Sequence, residues 1–245
     1  MMSFWQLFVC HLKVVYRNRS GFFWTVIMPV GMYIVLSVLP LDALMGINYS
    51  DFILPGIAAF AIMQGGIYTL AYWMVDLRSR GVIKRFQATP LKKSELILSL
   101  VAARAVVMLV QVALLTLIGI LVFRAPVEGS LLLAVIFVVT GAFVFLPLGL
   151  VISTFGNTYD AVAPITAGVG FVFGFLSNIF YPIEVIPEVL QTLSKILPTT
   201  YLADGLRNIY LTPGNWEKIL TDLAFLLIWA LVINLLTMWR FKFEE

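Results

Sequence analysis

The chain has almost nothing with which to hold a metal or cross-link itself. One cysteine, Cys10, and one histidine, His11, occur among 245 residues, which excludes a disulfide framework and disfavours a protein-built zinc or haem site. Charge is scarce too, at 12% Asp, Glu, Lys and Arg. No G-x-x-x-x-G-K-[ST] loop occurs, so this polypeptide is not expected to bind or hydrolyse ATP in the P-loop manner. H-E-x-x-H, G-x-S-x-G and C-x-x-C are absent as well. An intramembrane aspartyl catalyst needs two acids deep in adjoining spans, whereas Asp76 and Asp160 fall at the ends of apolar runs. The chain therefore reads as a non-enzyme. Residues 1–15 have no short basic leader with an A-x-A exit, so a cleavable signal peptide is not expected.

What abounds is apolar surface. With 61% hydrophobic residues and a mean hydropathy of +1.00, the chain has more apolar area than one water-soluble globule can hide, so lipid is the expected solvent. Phe4, Leu7, Phe8, Leu12 and Val15 recur at helical spacing after Ser3, with Trp5 and Tyr16 suited to the water boundary. Residues 3–18 thus predict a helix lying on the membrane surface, or else an extension of the first span. Six spans are predicted, at 22–39, 53–75, 96–123, 131–155, 161–180 and 219–239. Pro29 falls in the first, which a lipid-embedded helix tolerates when neighbours satisfy the freed carbonyl.

Between the second and third spans lies the most charged stretch, 76–94, DLRSRGVIKRFQATPLKKS, with six basic residues. Basic loops face the cytoplasm. With this loop inside, both termini are inside, and twelve of the 16 Lys and Arg fall on the cytoplasmic side; only Arg124, Lys195, Arg207 and Lys218 remain outside. Before the last span, 187–197 and 199–211 carry amphipathic patterns opened by prolines, and predict two short outer helices, each too short to cross.

Several intramembrane residues have competing readings. Arg104 could pair with Asp76 or extend to the headgroups. Gln64 and Gln111 could line a polar path or join helices by hydrogen bonds. Gly170 and Gly174 form a small-xxx-small pair suited to dimer packing, though common by chance. The basic loop could serve only anionic lipid, but Val82, Ile83 and Phe86 between the charges ask for a protein surface.

The ordered set YRNRSGFF, FILPGIAAFAI, RSRGVIKRFQATPLKKSE and FYPIEVIPEVLQTLSKILPTTYLADGLRNIYL resembles the permease subunit of type-2 ATP-binding-cassette (ABC) exporters, across essentially the whole chain. The resemblance implies an all-α integral membrane protein, 1–245 forming one permease domain, with residues 3–18 as the elbow helix and a coupling helix at Leu77 through Pro90. There Arg78, Arg80, Lys84 and Arg85 would form the charged face toward a cytoplasmic ATPase, and Val82, Ile83 and Phe86 the apolar one. Family members often carry a glutamate where this chain has Arg80. Helices at 187–211 would form an outer gate. Implied partners are two ATPase copies, which would hold ATP and magnesium, a second permease copy or paralogue, and membrane lipid, without nucleic acid. The implied place is the cell membrane, as a multi-pass exporter moving lipophilic or amphipathic cargo by alternating access. A non-transporting scaffold or sensor, or a permease for polysaccharide or lipid-linked glycan, would share much of this pattern. An ion-coupled transporter would need midplane ionisable groups that the spans lack.

Overall fold

The computed structural model describes residues 4–42, 46–82 and 93–240. Helices account for nearly all of them, and no strand occurs among the described residues. Five helical stretches are long and apolar enough to cross a membrane.

Helix α1, Phe4–Arg17, is amphipathic and buries Leu7 while leaving Trp5 and Tyr16 exposed. Asn18 then turns the chain, its Oδ1 accepting from the Gly21 amide at 3.0 Å. Helix α2, Arg19–Phe22, passes through a π-helical turn, Phe23–Ile27, into α3, Met28–Val38. Pro29 lacks an amide proton to continue the ladder, and the wider turn just before it absorbs the mismatch.

The core is organised around α4, Tyr49–Ser79, a 31-residue helix about 46 Å long. It packs on α3, on α5 (Lys93–Phe123), on α6 (Leu131–Ile152, with a 3-10 turn to Phe155) and on α7, Tyr159–Phe175. Close approach of α4 and α6 is possible because both present glycine at the crossing. A methyl group added at Gly66 would lie 2.5 Å from Phe145 Cβ, and one at Gly149 2.6 Å from the Ile67 carbonyl oxygen. Either contact is below van der Waals separation, so backbone meets backbone there. After α7 come a 3-10 turn at Ile183–Val185, the short α8 (Glu188–Ser194), α9 (Pro198–Leu211) and the last long helix, α10 (Trp216–Arg240). Helix α9 buries Leu202, Leu206, Ile209 and Tyr210 against α4, α6 and α10.

Two predicted boundaries are corrected. The second span extends at both ends, so Asp76 to Ser79 are helical, and the helix stops only where Gly81 takes φ of 63° and donates to the Arg78 carbonyl at 3.0 Å. The fifth predicted span, 161–180, is shorter: α7 has 17 residues and ends at Phe175. Ser177 Oγ donates back to the Phe173 carbonyl at 2.6 Å, and Tyr181 donates to that of Phe175, so side chains take up the last carbonyls. Helix α8 is also shorter than its apolar pattern, and Val189 on it is exposed.

Candidate functional site

Helix α4 is held by an arginine near each end. At its C-terminal end, Arg78 Nη1 donates to the carbonyls of Ser153 at 2.6 Å and Gly156 at 3.4 Å. The guanidinium thereby supplies donors to the carbonyls where α6 gives way to α7, tying three helices at one level. Arg78, read from the sequence as part of a charged face, directs its guanidinium to the turn between α6 and α7. Arg80 stays exposed and pairs with Asp76 at 2.8 Å, four residues back on the same helix. Leu77 is buried and Val82 packs against the core. Ile83, Lys84, Arg85 and Phe86 lie outside the described residues. Near the same level, Arg240 on α10 stacks over the Phe155 ring and donates to Thr154 Oγ1 at 3.1 Å.

At the other end of α4 a polar cluster surrounds Arg207 of α9. Nη1 reaches Asp204 Oδ1 at 2.7 Å, Nη2 reaches the Asn178 carbonyl at 2.8 Å, and the guanidinium lies 3.8 Å from the centre of the Phe52 ring. Asn178 donates from Nδ2 to Asp204, and Asn208 from Nδ2 to Asp222 at 3.2 Å. Burial lowers Arg207 to about 10 and raises the Asp204 carboxyl, their mutual attraction opposing both shifts. The cluster lines a polar cavity of about 710 Å³ that also receives Glu184 and Lys218. Arg207 thus joins the loop after α7, the start of α4 and α9. The Asp204–Arg207 spacing on one helix face was a legible signal for it; the partners on Phe52 and Asn178 had none.

The remaining predicted site residues separate. Asp76 is engaged by Arg80, and no ion pair joins it to Arg104 among the described residues; the i,i+4 neighbour on its own helix is nearer to hand than a cation on α5. Gln64 faces α7, its Oε1 3.5 Å from where a methyl at Gly170 would sit. Gln111 on α5 is buried with both amide atoms lacking a hydrogen-bond partner. No hydrogen bond among the described residues joins these two glutamines. Gly170 and Gly174 are buried against α4 of the same chain, where added methyl groups would lie 3.0 Å from the Tyr68 hydroxyl and 3.2 Å from the Phe60 ring. The small-residue face at these two glycines is thus filled within the chain, by Tyr68 and Phe60 of α4. A separate apolar groove of about 310 Å³ opens between α5 and α6, floored by Tyr210, whose hydroxyl shares a 2.8 Å hydrogen bond with Thr116.

No group of three or more His, Cys, Asp or Glu able to hold a metal occurs among the described residues.

Residues 2–211 match the family model described as "ABC-2 type transporter". "ABC transporter G family member 20" of Dictyostelium discoideum is 27% identical over 77% of this chain, and "Putative transport permease YvfS" of Bacillus subtilis (strain 168) is 23% identical over 91%. "Daunorubicin resistance ABC transporter permease protein DrrB1" of Streptomyces coeruleorubidus is 26% identical over 69%. The chain spans 26% of the Dictyostelium protein's length, 61% of DrrB1 and 92% of YvfS. A family model covering most of the chain, on an all-helical fold with five membrane-length helices, places this protein in the ABC-2 type transporter family, among the membrane permeases.

Proposed function

We propose that the chain is the membrane-spanning subunit of an ATP-driven exporter for lipophilic or amphipathic cargo. Two copies, or one copy and a paralogue, would enclose the path, with both termini and the 76–94 segment in the cytoplasm. Helix α7 would serve as a short sixth crossing. Separate ATPase subunits would supply ATP hydrolysis, docking at the segment that follows Ser79.

The observation that carries the reading is the arginine attachment near both ends of α4, by Arg78 to the α6–α7 turn and by Arg207 to α9 and the loop after α7. A long helix bonded near each end, at the α6–α7 turn and to α9, can transmit a push at one membrane face to the other, as alternating access requires, provided the ATPase contacts its two states differently. A relative whose name records daunorubicin resistance supports an apolar cargo class.

The test is recovery of the full chain from its native membrane in mild detergent, followed by reconstitution with the ATPase that accompanies it. ATP turnover should change when the permease is present. Arg78→Gln should cut that coupling by about tenfold, one hydrogen-bonded cation's contribution, while insertion persists. Recovery without any ATPase would favour a scaffold or sensor, and undiminished coupling in Arg78→Gln would refute the role given to α4.

A further inference from the structure

Arg104 is a cation on α5 that no carboxylate among the described residues answers. Its Nε is buried and has no hydrogen-bond partner, and both ion pairs among the described residues involve other arginines. Across the interface between α1 and α5, His11 is in the same position: its Nε2 is buried and unbonded, its ring sits edge-on to Trp73 at 6.1 Å, and Arg104 is the charged group whose field reaches it.

Depth follows from helix geometry. From Arg104 to the end of α5 at Phe123 is nineteen residues, about 28 Å of helix, close to the roughly 30 Å hydrocarbon thickness. If Phe123 meets one hydrocarbon boundary, Arg104 meets the other. At that level lie phosphodiesters, not bulk water. Helix α1 packs on α5 with Trp5 and Tyr16 exposed, as interfacial residues are placed. Phospholipid headgroups occupy that level and reach it by lateral movement within their own leaflet.

We propose that the Arg104 guanidinium and the His11 imidazole together seat the phosphate of an anionic membrane phospholipid between α1 and α5. Arg104 supplies a fork of donors and a full charge, and His11 adds a donor that strengthens as it protonates. A zwitterionic headgroup brings its own cation and leaves Arg104 less well neutralised, so the preference is for net negative lipid. The seat rests on the membrane reading of the fold and not on ATPase coupling or cargo.

The single histidine makes the test direct. The full chain, with ring-labelled histidine, is placed in nanodiscs of phosphatidylcholine alone and of phosphatidylcholine with phosphatidylglycerol, and the one imidazole resonance is titrated. Burial and the Arg104 charge hold His11 below its ordinary value; a phosphate in contact should raise it by about one unit or more in the phosphatidylglycerol discs. Surface potential alone raises any interfacial group by about half a unit, and Arg104→Gln should show only that smaller difference between the two disc types. Arg104→Lys should recover part of the larger one, which guards against reading a misfolded variant as a lost site. Equal differences in wild type and Arg104→Gln overturn the proposal. So does a comparable rise produced in phosphatidylcholine discs by inorganic phosphate, or by the partner ATPase.

Discussion

Replacing Arg207 is the sharpest way to test how the two ends of α4 are held. Its side chain is 14% exposed and that of Asp204 32%. Arg207→Ala would remove the 2.7 Å ion pair, the 2.8 Å bond to the Asn178 carbonyl and the contact over Phe52. Breaking a buried pair by deleting one partner costs about 3–5 kcal/mol. Asp204 keeps some access to water, so the expected loss is about 2–4 kcal/mol. Arg207→Lys keeps the charge but cannot fork between Asp204 and Asn178, and should lose about 1–2 kcal/mol. Unfolding of the purified chain in mixed micelles, followed by tryptophan fluorescence, reads these differences. A double-mutant cycle with Asp204→Asn should return a coupling of about 1–2 kcal/mol. Coupling below about 0.5 kcal/mol, or an Arg207→Ala loss no larger than that of an ordinary surface change, would refute the view that this cluster fastens the helix.

At the α4–α6 crossing, Gly66→Ala should cost about 1–3 kcal/mol in the same unfolding assay, because the new methyl meets Phe145 backbone and Cβ within 3 Å. Gly31→Ala on α3, where no atom lies within 4 Å, should be neutral or stabilising by up to about 1 kcal/mol. Equal losses at both sites would mean that helix contact is not what Gly66 provides. Cys10 is the lone thiol and is exposed on α1. A membrane-impermeant maleimide should label it in inverted membrane vesicles and not in intact spheroplasts, and the opposite pattern would reverse the proposed orientation.

Much of the helical plan was legible because each long helix carries its own signal. Apolar runs of membrane length, bounded by Pro, Gly or charge, marked α4, α5, α6 and α10 to within a few residues. The burial of α9 could be read from Leu202, Leu206 and Ile209 on one face. What could not be read was which partner each polar or small residue would take. Arg207 reaches Phe52 across 155 residues, a pairing with no local trace. Gly170 and Gly174 display the spacing of a helix contact, but the spacing is silent on whether Phe60 and Tyr68 of the same chain or a second copy fills it. Asp76 shows the reverse case: Arg80 stood four residues away, and this local pairing prevailed over the more distant Arg104. The end of α7 was missed because Ile179 and Phe180 continue the apolar run, while the terminating bonds come from Ser177 and Tyr181, whose ordinary membrane role is to stay inside the helix or at its rim.

As a proposed crossing, α7 would shape the membrane around it by its shortness. Its 17 residues span about 25 Å, some 5 Å less than the hydrocarbon layer its longer neighbours are built for. In the six-crossing arrangement proposed above, the layer on the side of Asn178 would dip, or water would descend, toward Asp204, Arg207 and Asn208, which line the polar cavity there. A molecule following α7 outward in that arrangement would leave oil earlier than along α5 or α10. The barrier there would be a notch in the wall, thinned where one helix stops before the others do.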